Sequence, residues 1–338
     1  MGKPGDTRCL EAFGTCIGDG RNKSGLELHW VTFQFMRLAA VDIGSNTVHV
    51  LVADVVRNKL EDVAHYVEMP ELGARVARTG AIGTKGRIAI RALRSVIAQA
   101  RKHGYDMLIA AATEAVRQAS DGEAFAKQAG EAIGVPVRII SRRREAELSF
   151  LGVASRHAAR REWVMVDLGG ASTEVVIAQG DDLLRSVTLP IGSGVLASTY
   201  LSDPPHLDER ARMRKAALRE LAHAPDGDVE RLVATGGTAS NLPFVLSRRN
   251  PPSVLTTADL LACEGRLDGG PAARVAVKVG LPPNRVKAMR AGVEALLLFL
   301  DWYGLALLHI SHEGLRHGML LAYLEEGEEW WVTPLGSG

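Results

Sequence analysis

The feature that most constrains this chain is a pattern that occurs twice. Residues 38–54 read L-A-A-V-D-I-G-S-N-T-V-H-V-L-V-A-D, and residues 164–178 read V-M-V-D-L-G-G-A-S-T-E-V-V-I-A. Each is an apolar run that ends at an aspartate, turns through glycine and hydroxyl residues, and resumes as a second apolar run. Two β-branched runs joined by a glycine-containing turn predict a hairpin. The turn suits an anion, because glycine lets backbone N–H groups approach closely and the hydroxyls add donors. An aspartate at the strand end can hold a cation that neutralises that anion. For one copy, a tight hairpin with no ligand explains the residues equally well. Two copies argue for a duplicated domain with two phosphate loops facing one cleft.

The periodicity around the hairpins extends the duplication. After a third strand over 60–67, the apolar residues Ile90, Leu93, Val96, Ile97 and Ala100 recur at helical spacing within 86–103, and Gly104 closes that helix. A strand over 107–112, a helix over 122–133 with Asp121 as N-cap, a strand over 136–140 and a helix over 144–154 follow. The order β-β-β-α-β-α-β-α then begins again at Trp163, with strands over 164–166, 173–178 and 183–190. A helix over 208–223, a strand over 231–234, a glycine turn at Thr235-Gly236-Gly237-Thr238, a helix over 289–303, a strand over 306–311 and a helix over 315–326 complete it. Residues 251–280 read as short helices crossing the surface. This is an α/β chain with two mixed sheets covered by helices and an interdomain cleft at the strand ends. The expected organisation is an extension over 1–35, a first domain over 36–157, a second over 158–328 whose last helix can pack back on the first, and a frayed tail over 329–338. The hinge is placed at 156–161.

Composition excludes more than it suggests. A net charge of +1 over 338 residues, with 46% hydrophobic content, points to neither nucleic acid nor membrane, so a polyanion site must come from local clustering. Cys9, Cys16 and Cys263 make neither a disulfide framework nor a spaced metal site, which points to a reducing, cytoplasmic setting. Residues 1–35 lack the layout of a secretory signal, and Met36 reads as the natural start behind a poorly ordered extension. Residues 291–310 are the most apolar stretch but carry Glu294, Asp301 and His309, unlike a bilayer span.

Four motifs stand in order: Asp42-Ile43-Gly44-Ser45-Asn46-Thr47, Asp167-Leu168-Gly169-Gly170-Ala171-Ser172-Thr173-Glu174, Ala234-Thr235-Gly236-Gly237-Thr238 and Ser311-His312-Glu313-Gly314-Leu315-Arg316-His317-Gly318. Together they resemble the exopolyphosphatase / guanosine pentaphosphate phosphohydrolase (Ppx/GppA) family, in its short two-domain form, over roughly residues 37–326. The resemblance implies two ribonuclease H-like domains of the actin–Hsp70–sugar kinase fold. It makes Gly44, Ser45, Asn46 and Thr47 the first phosphate loop and Gly169, Gly170, Ala171, Ser172 and Thr173 the second. Ala171 stands where the family usually has a third glycine. Gly236, Gly237 and Thr238 are expected to add phosphate or nucleotide contacts, with close strand–helix packing as the alternative. Asp42 and Asp167 are the expected ligands of Mg²⁺ or another divalent cation.

Glu145 aligns with the family's water-activating glutamate. General-base work on a phosphoanhydride needs a carboxylate within reach of one water; a first-turn glutamate favoured by the helix dipole is the alternative. Arg117 is expected to clamp the terminal phosphoryl group, unless it only pairs with Glu114 or Glu123. Glu174 is expected to assist metal or water. Arg142, Arg143 and Arg144 replace the residues that usually precede the base. They read either as a polyanion-binding cluster or as a solvated face. His49 reads as structural, and His312, Glu313 and Arg316 as residues near a helix start with no catalytic part. The resemblance therefore implies Mg²⁺-dependent release of terminal phosphate from inorganic polyphosphate. Guanosine pentaphosphate or a nucleoside triphosphate is the alternative substrate, and a non-catalytic actin-like nucleotide- or polyphosphate-binding module the alternative of another class. Family members are often dimers, so a second copy of the chain is among the expected partners.

Overall fold

The computed structural model describes residues 36–332 apart from 58 and 248, together with the pairs Cys9–Leu10 and Thr15–Cys16, which bridge antiparallel. The expectations for the rest of 1–35 and for 333–338 lie outside the described residues.

The first sheet is built from β1 (Met36–Ile43), β2 (Val48–Val56), β3 (Lys59–Glu68), β4 (Met107–Ala112) and β5 (Val137–Ile139), in the order β3-β2-β1-β4-β5. β1, β2 and β3 form an antiparallel meander, and β4 and β5 add in parallel on the other side of β1. Residues 38–41 of β1 and 107–112 of β4 are continuous apolar runs, as suits strands covered by helices on both faces. On one face lie α1 (Leu72–Thr79), α2 (Lys85–Ala100), the single turn α3 (Glu114–Gln118) and α4 (Gly122–Ile133), packed through Leu72, Leu93, Val96 and Phe125 against Val41, Val50 and Val52. α5 (Arg142–His157) follows β5 and packs Phe150 and Val153 against Trp163, Met165 and Val176 of the second half.

The second sheet repeats the plan. β6 (Ala159–Leu168), β7 (Thr173–Gly180) and β8 (Asp182–Leu189) form its meander. Then come α6 (Ser193–Tyr200), α7 (Leu207–Leu221), β9 (Leu232–Thr235), α8 (Gly236–Ala239) and α9 (Leu242–Leu246). β10 (Val254–Thr256), α10 (Thr257–Leu267), α11 (Ala272–Val279), α12 (Pro283–Trp302), β11 (Leu307–Ile310) and α13 (Leu315–Glu326) complete the chain. The order β8-β7-β6-β9-β11-β10 is the first sheet's order with one added edge strand.

Several boundaries differ from expectation, each for a local reason. The helix expected over 144–154 runs from Arg142, because Ser141 Oγ caps it by accepting from Arg144 N at 3.1 Å. α12 begins at Pro283 rather than 289, proline being favoured in a first helical turn. α1 and α6 lie in stretches to which the periodicity assigned no helix. Asp121 stands at the N-cap of α4 as expected, but its carboxylate makes no capping bond there; it accepts from the N–H groups of Ile82 and Gly83, both at 2.8 Å, and ties the α1–α2 loop down. The expected tail from 329 is partly core: Trp330 is buried with Leu38, Leu51 and Met319.

α13 follows β11 of the second sheet yet packs on the first, placing Leu315, Met319 and Leu320 against Leu38, Leu51 and Ile109. It lies along α5 at glycine contacts. A Cβ on Gly152 would stand 2.2 Å from Gly314 O, and one on Gly318 1.7 Å from Leu148 O. These two helices join the halves of the molecule. No helix among the described residues is long and apolar enough to cross a membrane.

Candidate active site

The two hairpin turns are the same turn. Gly44 N donates to Thr47 O at 2.9 Å, and Gly169 N donates to Ser172 O at 3.0 Å. The cross-strand partners correspond as well: Asp42 faces His49, and Asp167 faces Glu174. A third loop enters at Gly236, whose φ of +92° and whose Cβ position, 2.5 Å from Leu168 O, exclude any side chain. A cavity of about 150 Å³ lies between the loops. Gly44, Ser45, Asn46 and Thr47 line it from one side and Gly169, Gly170, Ala171 and Ser172 from the other. Gly236, Gly237, Thr238, Asp42, Asp167, Glu145 and Glu174 also line it.

The halves touch at Asn46. Its Nδ2 lies 2.5 Å from the Cβ position of both Gly170 and Gly194, so the first loop's amide fits a slot that only glycines leave open. α1 braces that loop, with Gly73 N donating to Ser45 O at 2.7 Å and Glu71 N to Asn46 O at 3.1 Å. Asn284 Nδ2 of the second half donates to Glu71 Oε1 at 2.8 Å.

Burial and mutual repulsion govern the carboxylates. Burial pushes Asp42 up to about 6, with nearby Asp167 adding to the shift and Arg316 opposing it. Glu145 is pushed up to about 8 by burial, against the pull of Arg117, whose Nη2 donates to Glu145 Oε2 at 3.0 Å. Asp167 is raised by burial although Ser149 Oγ donates to it at 2.7 Å, and Glu174 is raised well above the usual range by burial and by Glu145. Four acids that each favour a proton in the ligand-free cleft form a site suited to a hard cation. Asp42 Oδ1 is buried without a hydrogen-bond partner, an acceptor open to such an ion. No ready-made cage of three or more acidic, His or Cys ligands exists among the described residues. Mg²⁺ commonly binds through one or two carboxylates and completes its shell with water and phosphate oxygens.

The arginines are placed differently from expectation. Every nitrogen of Arg117 is engaged within the protein: Nε with Glu114 at 3.1 Å, Nη1 with Ile140 O at 2.6 Å, and Nη2 with Glu114 and Glu145. It does not line the cavity as a phosphoryl clamp would; it holds Glu145. Arg142, Arg143 and Arg144 do not form one polyanion cluster, because successive helical residues point about 100° apart. Arg142 pairs with Glu114 at 2.5 Å and Arg143 with Glu147 at 2.7 Å, while Arg144 is buried against Trp330 O and Glu326. Thr173 is also corrected as a phosphate donor: its hydroxyl is fully buried and donates to Ile191 O at 2.6 Å. Ser172 lines the cavity, with its hydroxyl on Glu174 Oε1 at 3.1 Å.

Residues given no part in the chemistry by the sequence also line the wall. Arg285, Arg316, His49 and Ser193 all line the cavity. Burial holds the His49 imidazole well below its ordinary value, with Arg316 and Arg285 adding to the effect, so it is neutral. Arg285 reaches over Gly237 from α12; a Cβ there would stand 2.2 Å from its Nη1. The only local signal for Arg316 was its place in the fourth motif. Arg285 had none, because its approach depends on how α12 crosses the third loop.

A family model described as the Ppx/GppA phosphatase family matches residues 51–326. The structure is similar to that of the Aquifex aeolicus Ppx/GppA family member, with 26% identity and a TM-score of 0.73 over 87% of this chain and 99% of that one. The type II variant of the Aquifex aeolicus phosphatase aligns at 27% identity and a TM-score of 0.67, over 85% and 99% of the two chains. An exopolyphosphatase from Cytophaga hutchinsonii shares the fold, with 21% identity and a TM-score of 0.75 over 86% and 98%.

Proposed function

This chain belongs to the Ppx/GppA phosphatase family, and from that premise we propose that it is an exopolyphosphatase, releasing terminal phosphate from inorganic polyphosphate with the help of a divalent cation. The observation that carries the reading is the opposition of two like Asp-x-Gly loops across a cavity into which Glu145 projects. Loop N–H groups and the Ser45 hydroxyl hold the oxygens of the terminal phosphoryl group. Glu145 accepts the proton of a water aligned opposite the leaving chain, and Arg117 fixes the carboxylate's orientation. Asp42 and Asp167 are the residues that would hold Mg²⁺, whose charge neutralises the phosphate oxygens. The walls carry no Phe, Tyr or Trp on which a nucleobase could stack, which favours a linear polyphosphate.

A second reading has its own observation. A neighbouring cavity of about 450 Å³ on the far side of Asn46 has apolar walls at Met69, Ala74, Ala197 and Leu201. It offers room for a nucleoside and favours guanosine pentaphosphate. Phosphate release from long-chain polyphosphate and from guanosine pentaphosphate, measured side by side with Mg²⁺, separates the two. A folded protein that releases phosphate from neither substrate would refute both and leave a binding module.

The cation assignment predicts a pH dependence. Asp42 and Glu145 have folded values of about 6 and about 8, above those of the unfolded chain. The ligand-free fold therefore binds more protons than the unfolded chain and loses stability as pH rises through that interval. Mg²⁺ replaces those protons. The rise in Tm on adding Mg²⁺ is expected to be larger at about pH 8.5 than at about pH 5.5, with proton release on binding near neutrality. Equal shifts at both values would place the cation elsewhere.

A further inference from the structure

Arg316 sits at the start of α13 and projects into the cavity beside Asp42 and Asp167. The scaffold fixes it there. Leu315 is buried in the core behind it, and His317 Nε2 is held by Asp62 Oδ1 at 3.0 Å. Its side chain is only 19% exposed, yet its ion-pair contact among the described residues is Asp42 Oδ2 at 3.8 Å, beyond hydrogen-bond range. Arg316 Nε is buried with no partner, and so is Asp42 Oδ1. Two groups of opposite charge thus stand side by side, each with an orphaned atom that the other does not satisfy. Unpaired buried groups of this kind are costly. The arrangement suits a ligand that brings both signs, a cation for the aspartate and an oxyanion for the guanidinium. Arg117, by contrast, spends four of its five N–H groups on Glu114, Glu145 and Ile140 O and does not line the cavity.

We propose that Arg316, rather than Arg117, is the arginine that contacts the phosphoryl group during hydrolysis. In the ligand-free cleft it serves as counter-ion to Asp42 and Asp167; with substrate present its planar fork binds phosphoryl oxygens, and the aspartates are left to the cation. This rests on the phosphoanhydride reading above, and the test separates the two.

The probe is inorganic tripolyphosphate, titrated calorimetrically with Mg²⁺ into a Glu145→Gln parent that does not turn it over. Adding Arg316→Gln is expected to weaken tripolyphosphate binding roughly 10- to 100-fold. Adding Arg316→Lys restores part of that loss, since a point charge lacks the fork. Mn²⁺ titrated alone at about pH 8 should bind the Arg316→Gln protein as tightly as the parent or up to roughly tenfold tighter, a competing positive charge having gone. A purely structural arginine would weaken both ligands together and lower Tm. Unchanged tripolyphosphate binding in Arg316→Gln, or parallel loss of Mn²⁺ and tripolyphosphate, overturns the proposal. If Arg316→Gln does not fold, Arg316→Lys decides: weaker tripolyphosphate with unchanged Mn²⁺ supports the role, and equal binding removes it. A parent that binds no tripolyphosphate at all overturns the phosphoanhydride reading itself.

Discussion

Replacing Glu145 by glutamine is expected to lower kcat by about 10²- to 10⁴-fold, the range for loss of a general base. KM for polyphosphate should stay close to that of the parent, because the loops that bind the phosphoryl group are untouched. Stability separates this loss from misfolding. The Glu145 carboxyl is buried among Asp42, Asp167 and Glu174, and its folded value of about 8 lies above that of an unfolded glutamate. A raised carboxylate costs stability as pH rises towards the folded value. A neutral glutamine removes that cost, so Tm at about pH 8 should equal or exceed that of the parent. Full activity in Glu145→Gln would move the base elsewhere in the cleft. A fall in Tm that tracks the fall in kcat would make Glu145 structural.

Gly318→Ala should be the most damaging small substitution outside the cleft. The added methyl would stand 1.7 Å from the Leu148 carbonyl oxygen, a backbone atom that cannot swing aside, so α13 and α5 must part. Overpacking of this kind costs about 3 kcal/mol, at the upper end of its range, and should lower Tm by roughly 5–10 °C. Activity should fall further than the loss of folded protein explains, because α5 carries Glu145 and α13 carries Arg316. Gly265→Ala in α10 is the control: nothing lies within 4 Å of its Cβ position, and it should be neutral or stabilising by up to about 1 kcal/mol. A Gly318→Ala protein as stable as that control would show that the two helices slide freely.

Most of the fold could be read before the structure, for a reason visible in β1 and β6. Each carries an apolar run, 38–41 and 163–166, that stops at an aspartate with glycine two residues on, a local signal that survives in any context. α1, α6 and β10 were missed because their residues carry no comparable signal. α1 holds its place by bracing the loop at Ser45 and Asn46, and β10 by pairing with β11 at the sheet edge. Glu145, the proposed base, was singled out by its alignment with the family's glutamate, whereas the place of Arg144 had no such signal, because its partners Trp330 and Glu326 lie far along the chain.

The sequence by itself determined the duplication, the two Asp-x-Gly turns and the aspartates that end their strands. These depend on backbone freedom and on side chains a few residues apart. Only the tertiary structure decided which charges meet. It turned Arg117 inward onto Glu114 and Glu145, buried Arg144 under the C-terminal turn, and brought Arg316 from the last helix to the first aspartate. A charged side chain's part in a site depends on its partners and on the water it loses. Both are properties of segments that pack across the cleft, and no local stretch of chain encodes them.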